Sequence, residues 1–178
     1  MDFKMFEGSL VKLRAVRDED FEIIENWYED TYFLRNVDTA IALPKNNDEI
    51  KSMYDPDDDI IELMMCPLEN DSPVGFISIY NIEWNNRSGT IAIGIGCESD
   101  RHLGYGTDAL KLMMKYAFNE LNLDRLDLEV VEYNHAAHML YEKLGFKFGG
   151  RRREAVLRDG KRFDILIFDI LRSEWTKG

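Results

Sequence analysis

Residues 11–16, VKLRAV, alternate apolar with polar, as a strand with one buried face does. The period then lengthens. Phe21, Ile24, Trp27 and Tyr28 recur at helical spacing, with Asp18 placed as the N-cap. A mixed stretch follows, ended by NNDEIKSMY at 46–54, which reads as a second short helix. DPDDD at 55–59 reads as a solvated turn carrying four acids around Pro56, with a collar that attracts amines as the sharper alternative. Three strand-like runs come next, at 60–66 (IIELMMC), 74–84 (VGFISIYNIEW) and 90–96 (TIAIGIG). The segments between them, ENDSP and NNRSG, carry turn chemistry, so an antiparallel meander is expected.

From Leu110 the pattern is helical again: Leu110, Met113, Met114, Ala117, Phe118 and Leu121 mark one core-facing stripe. RLDLEVV at 125–131 returns to strand. A right-handed crossover through the preceding helix would set it parallel to 90–96. HAAHMLYEKL at 135–144 is a short helix closed by Gly145 at C′. Residues 148–171 read as two strands around RDGK, where Asp159-Gly160 signals a tight hairpin. The order is β, one or two helices, three β, helix, β, helix, two β. It predicts an α/β fold with a mixed sheet in a single domain over residues 1–178.

Composition narrows the setting. The 178 residues are 45% apolar and 31% charged, which fits an ordered chain with a sizeable core. No apolar run approaches the ~20 residues needed to span a bilayer. MDFKMFEGSL lacks the apolar stretch of a signal peptide, so a cytoplasmic protein without membrane contact is expected. Cys66 and Cys97 stand far apart and read as two buried, reduced thiols. The net charge of −12 disfavours a nucleic-acid partner and permits a cationic substrate. His102, His135 and His138 are too scattered to make a metal site.

The chemistry concentrates in RHLGYGT at 101–107. A glycine-bearing loop between strand and helix offers free N–H groups and the positive end of a helix dipole, which suits a phosphate. A nucleoside-triphosphate loop is excluded, since no Gly-Lys-Ser/Thr occurs. A dinucleotide fingerprint matches in form, as Gly104-x-Gly106-x-x-Ala109 with Asp127 about twenty residues on. That fingerprint needs its glycines directly at the strand end, whereas 97–103 intervene here. A structural loop without ligand is the third reading.

Two stretches together carry a resemblance. RHLGYGT resembles the Arg/Gln-x-x-Gly-x-Gly/Ala signature of the GNAT superfamily of N-acetyltransferases, and NHAAHMLYEKLGF at 134–146 is similar to that family's second signature. The opening and closing segments, GSLVKLRAVRDEDFEII and RDGKRFDILIFDIL, resemble its ribosomal-protein and spermidine acetyltransferase branch. The resemblance implies a mostly antiparallel sheet with helices on both faces and a V-shaped splay between two parallel strands. It implies acetyl-coenzyme A as co-substrate. Main chain around Arg101, His102, Leu103, Gly104, Tyr105, Gly106 and Thr107 would hold the pyrophosphate. Ile93 and Ile95 would flank the pantetheine arm, Asn134 would hydrogen-bond it, and Tyr141 would stand at the thioester sulfur.

The implied reaction moves an acetyl group to a primary amine: a protein N-terminus, a polyamine or another small amine. A free alkyl ammonium titrates near ~10.4, so a base or water chain must take its proton. Main-chain N–H near Ile95 could stabilise the oxyanion. Tyr141 would act as general acid toward the departing thiolate. Relatives often place a carboxylate near position 90, where this chain has Thr90. Glu83, Glu129 or a water relay remain for the base. His102 stands where the family commonly has glycine or a small residue, and Ala137 where it often has serine. The run 151–153 (RRR) reads as a solvated strand face, with the coenzyme's 3′-phosphate or an acidic partner as the alternative. A homodimer also fits the resemblance. A nicotinamide-dependent oxidoreductase and a non-catalytic acyl-coenzyme A sensor on the same fold are the competing functions.

Overall fold

The alternating runs form strands β1 (Val11–Arg14), β2 (Ile61–Pro67), β3 (Gly75–Glu83), β4 (Ser88–Ile95), β5 (Arg125–Val131), β6 (Lys147–Arg158) and β7 (Lys161–Leu171). In the computed structural model, which describes residues 4–55, 57 and 59–175, they make one sheet in the order β1-β2-β3-β4-β5-β7-β6. Every neighbouring pair is antiparallel except β4 and β5. The expected meander of β2, β3 and β4 and the parallel crossover into β5 are both present. Asp159 and Gly160 turn the last hairpin with φ of 50° and 74°, the left-handed pair that the Asp-Gly sequence predicts. Pro56 and Asp58, within the acidic turn expected at 55–59, lie outside the described residues.

Five helices lie against this sheet among the described residues: α1 (Phe21–Trp27), α2 (Thr31–Val37), α3 (Asn47–Met53), α4 (Tyr105–Asn119) and α5 (His135–Lys143). Alternation along β2 divides them between two faces. Met64 and Cys66 pack with Phe21, Ile24, Trp27, Phe33 and Ile50 of the first three helices. Met65 points the other way, into the cluster with Leu110, Met113 and Phe118 of α4 and Tyr141 of α5. Helices therefore cover both faces.

Three local expectations need correction. Asp18 does not cap α1; it opens a short 3₁₀ turn, Asp18–Asp20. Asp20 holds the N-cap position of α1, without a side-chain bond to that helix. Its carboxylate, 1% exposed, accepts from the Arg17 N–H at 2.8 Å and from both Arg14 guanidinium nitrogens at 2.7 and 2.9 Å. Leu121 lies past the end of α4, although it still packs on the core. Cys66 is buried as expected, but Cys97 is exposed, because it sits in the loop that leaves the end of β4. α2 was not expected at all. Its two buried residues, Phe33 and Leu34, are adjacent, so seven residues give no helical period.

The feature that matters for function is where one ladder stops. β4 and β5 pair only from Ser88↔Arg125 to Ile91↔Leu128. β4 continues to Ile95 on the arm of β3, ending at Gly75↔Ile95, and β5 continues to Val131 on the arm of β7, ending at Val131↔Ile165. Each strand keeps its outer partner while the inner edges part. Glycines enforce the path of β4. A Cβ at Gly94 would lie 2.6 Å from the Phe76 ring, and one at Gly96 would lie 2.2 Å from the Trp27 indole.

Candidate active site

The parted edges open into a cleft of about 290 Å³. Four parts of the chain wall it: 91–95 of β4, the loop and first turn of α4, the end of β5 with α5, and α2. Among the described residues, the edge of β4 that faces β5 has no ladder partner beyond Ile91, and neither does that edge of β5 beyond Leu128. Bare main chain of this kind accepts an extended ligand as an added strand.

At the mouth, Gly104 is the N-cap of α4 with φ 87°, and His102 stands at φ 63°. The left-handed backbone at His102 is the reason glycine suits that position. The N–H groups of Tyr105, Gly106 and Thr107 form the first turn, where no intrahelical acceptor exists. A Cβ at Gly106 would make only ordinary contacts, with Ile93 and Leu140 each at 3.7 Å. Folding therefore does not require glycine at 106. Its bareness leaves room in the cleft.

The expected site residues assemble here. Ile93, Ile95, Arg101, His102, Gly104, Tyr105, Gly106, Thr107, Asn134 and Tyr141 all line the cleft. Leu103 does not; its side chain is exposed beside the loop. Arg101 has a different posture from a free cation. Its guanidinium pairs with Asp30 at 2.7 Å, donates to the Gly96 carbonyl at 2.8 Å and stacks 4.2 Å above the Tyr32 ring. It thereby ties the loop to the N-cap of α2. Asn134 caps α5, its Oδ1 accepting from the Ala137 N–H at 3.2 Å.

Tyr141 is 5% exposed, its ring held by Phe146 and Phe168 with both centroids 6.1 Å away. Burial raises its phenol pKa, and the nearby Tyr80 hydroxyl adds to that. The phenol is thus protonated throughout the neutral range and suited to giving a proton. Glu129 of β5 also lines the cleft. Glu129 is ion-paired to Arg152. Burial and the charge of Glu129 both raise the pKa of Tyr80. Glu83 is elsewhere: it accepts from Asn86 and Ser88 in the β3–β4 turn. Asp127, the acid of the dinucleotide reading, pairs with Arg125 at 2.6 Å and does not line the cleft. Sequence reasoning missed the fourth wall, Tyr32, Phe33, Asn36 and Val37 of α2. The only signal was Asp30, whose carboxylate accepts from the Tyr32 N–H as an N-cap.

Residues 11–147 match the model of the acetyltransferase (GNAT) domain. The chain belongs to the GNAT acetyltransferase family. The uncharacterized N-acetyltransferase YokL, derived from the SPbeta prophage of Bacillus subtilis (strain 168), is 25% identical over 170 residues, covering 94% of this chain and 93% of YokL. YdaF of the same organism, provisionally named a ribosomal N-acetyltransferase, is 30% identical over 108 residues, 61% of this chain and 58% of YdaF. In structure, the spermidine N-acetyltransferase of Vibrio cholerae, solved with CoA and spermine, superposes with a TM-score of 0.83 at 23% identity, over 92% of this chain and 96% of that one. This GNAT protein is an N-acetyltransferase that uses acetyl-coenzyme A as its acyl donor. The residues present fit that donor, with parted strand edges, free first-turn N–H groups and a bare Gly106 lining the cleft. Among the described residues, no helix is long and apolar enough to cross a membrane.

Proposed function

We propose that the parted strands hold the pantetheine arm and that a primary amine attacks the thioester at the vertex of the split, with Tyr141 as general acid. The observation that carries this reading is the halt of the β4–β5 ladder at Ile91↔Leu128, with Tyr141 and Glu129 both lining the cleft that opens there. N–H groups of the first turn of α4 bind the pyrophosphate, and main chain of 92–95 pairs with the amides of the arm. The amine approaches past Glu129, which takes its proton directly or through water. Nitrogen then adds to the carbonyl carbon, the carbon–sulfur bond breaks, Tyr141 gives its proton to the leaving sulfur, and the second proton shed by the nitrogen returns to Tyr141 through water. The products are an acetamide and free coenzyme A.

Glu129 is favoured over Glu83 as the base because only Glu129 lines the cleft. It is ion-paired to Arg152, a partner that an incoming ammonium would displace. The test is release of free thiol from acetyl-coenzyme A with a panel of polyamines, other small amines and N-terminal peptides. At least one amine is expected to turn over. Glu129→Gln is expected to slow that amine by about 10²-fold while the alkaline side of the pH profile is least affected, since there the amine is already neutral. An unchanged rate would reassign proton removal to water alone. Coenzyme A binding without thiol release for any amine would support a sensor instead.

A further inference from the structure

A second groove, of about 520 Å³, adjoins the cleft and shares Tyr32, Asn36, Asn134 and Ala136 with it. It runs between α2 and the tip of the β6–β7 hairpin, and nothing from β4 or the loop at 101–107 lines it. It meets the cleft at α2 and at the start of α5. Tyr133 and Phe163 form its aromatic wall, edge to face with centroids 5.0 Å apart.

The polar groups of this groove are unusual for a chain of net charge −12. Two guanidiniums, Arg35 and Arg158, face one carboxylate, Asp159. Asp159 is already engaged in both oxygens by Arg35, at 2.6 and 2.7 Å. Among the described residues Arg158 donates to two carbonyls, that of Ala40 at 2.9 Å and that of Leu157 at 3.3 Å. Its Nε is buried and without a hydrogen-bond partner among the described residues. An unmet buried donor is a standing cost, removed when the guanidinium turns toward a ligand oxygen. The cation also repels a second ammonium on a polyamine and attracts a carbonyl or carboxylate.

We infer that this groove admits the acceptor and that Arg158 selects amines bearing a carbonyl or carboxylate oxygen within a few bonds of the nitrogen, the chemistry of an aminoacyl group. The inference rests on the acetyl-transfer reading of the adjoining cleft. Tyr133, whose hydroxyl donates to the Arg35 carbonyl, and the Arg35–Asp159 pair hold α2 against the hairpin and keep the groove in shape.

The experiment compares a tripeptide, a free amino acid and spermidine as acceptors for the wild type, Arg158→Gln and Arg158→Lys. It reads KM for acceptor and for acetyl-coenzyme A separately. The wild type is expected to prefer the tripeptide or amino acid over spermidine. Arg158→Gln is expected to raise the preferred acceptor's KM about tenfold or more, as loss of a charge-assisted hydrogen bond does, with the acetyl-coenzyme A KM unmoved. Arg158→Lys is expected to recover part of that loss. Preference for spermidine would overturn the inference. So would a rise confined to the acetyl-coenzyme A KM, which would put Arg158 on a cofactor phosphate. Absence of thiol release with every amine would sink the transferase reading itself. In that case calorimetric titration of the tripeptide and the amino acid onto the coenzyme A-loaded protein decides the groove. Binding weakened by Arg158→Gln would uphold it, and no binding of either would end it.

Discussion

Tyr141→Phe is expected to lower kcat by about 10²–10⁴, the usual effect of removing an acid–base partner, while leaving the Kd for acetyl-coenzyme A within about twofold. The split between the two effects follows from where the side chain lies. Its ring is core, packed on Phe146 and Phe168, and phenylalanine keeps that ring. Only the hydroxyl is lost, and the hydroxyl is needed when sulfur departs, not when the arm binds. Because burial raises the phenol's pKa, its proton is retained beyond the ordinary tyrosine value of about 10. The wild-type rate is therefore expected to show no alkaline fall attributable to this group below that value. Steady-state kinetics across pH check both points. An equal kcat would leave Tyr141 a packing residue.

Gly106→Val is expected to weaken coenzyme A binding by 10²-fold or more, on the order of the 2–3 kcal/mol lost when a close main-chain approach is blocked. Gly106→Ala is expected to bind nearly as well as the wild type, since the family signature admits either residue. The same substitutions should leave the melting temperature within a few degrees, because a Cβ at 106 finds only ordinary contacts at 3.7 Å. The neighbouring Gly104 gives a less clean test. At φ 87° any side chain strains the backbone, and its Cβ would also lie 3.1 Å from Leu10. Val at 104 would thus combine folding cost with lost binding. Calorimetric titration with coenzyme A beside thermal melting separates size at 106 from strain. Undiminished affinity in Gly106→Val would move the phosphates off this loop.

The meander, the long helix and the terminal hairpin were legible because each carries its own period or turn chemistry: alternation in 74–84, a helical stripe from Leu110, Asp159-Gly160 between strands. The loop 101–107 was legible because two glycines near a helix start are a local signal. α2 was not, since two adjacent apolar residues have no period, and its wall of the cleft was lost with it. Nor could sequence show that the Arg101 side chain is spent on Asp30 and Tyr32, seventy residues away along the chain. Gly94 and Gly96 were read with their strand as a β-rich run. Their actual demand comes from Phe76 and Trp27, which reach them through tertiary packing. Choice between Glu83 and Glu129 likewise waited on the fold, because both lie on strands and only the register of the sheet sends one of them to the cleft.

Everything proposed for the reaction depends on the acyl donor lying between two strands that stop pairing. Amide hydrogen exchange with and without coenzyme A reads this directly. Slowed exchange is expected at 92–95 of β4, at 129–131 of β5 and at 102–107, with the outer ladder of β1 and β2 unchanged. Binding that left those amides as fast as in the free protein, or that slowed a different surface, would contradict the account.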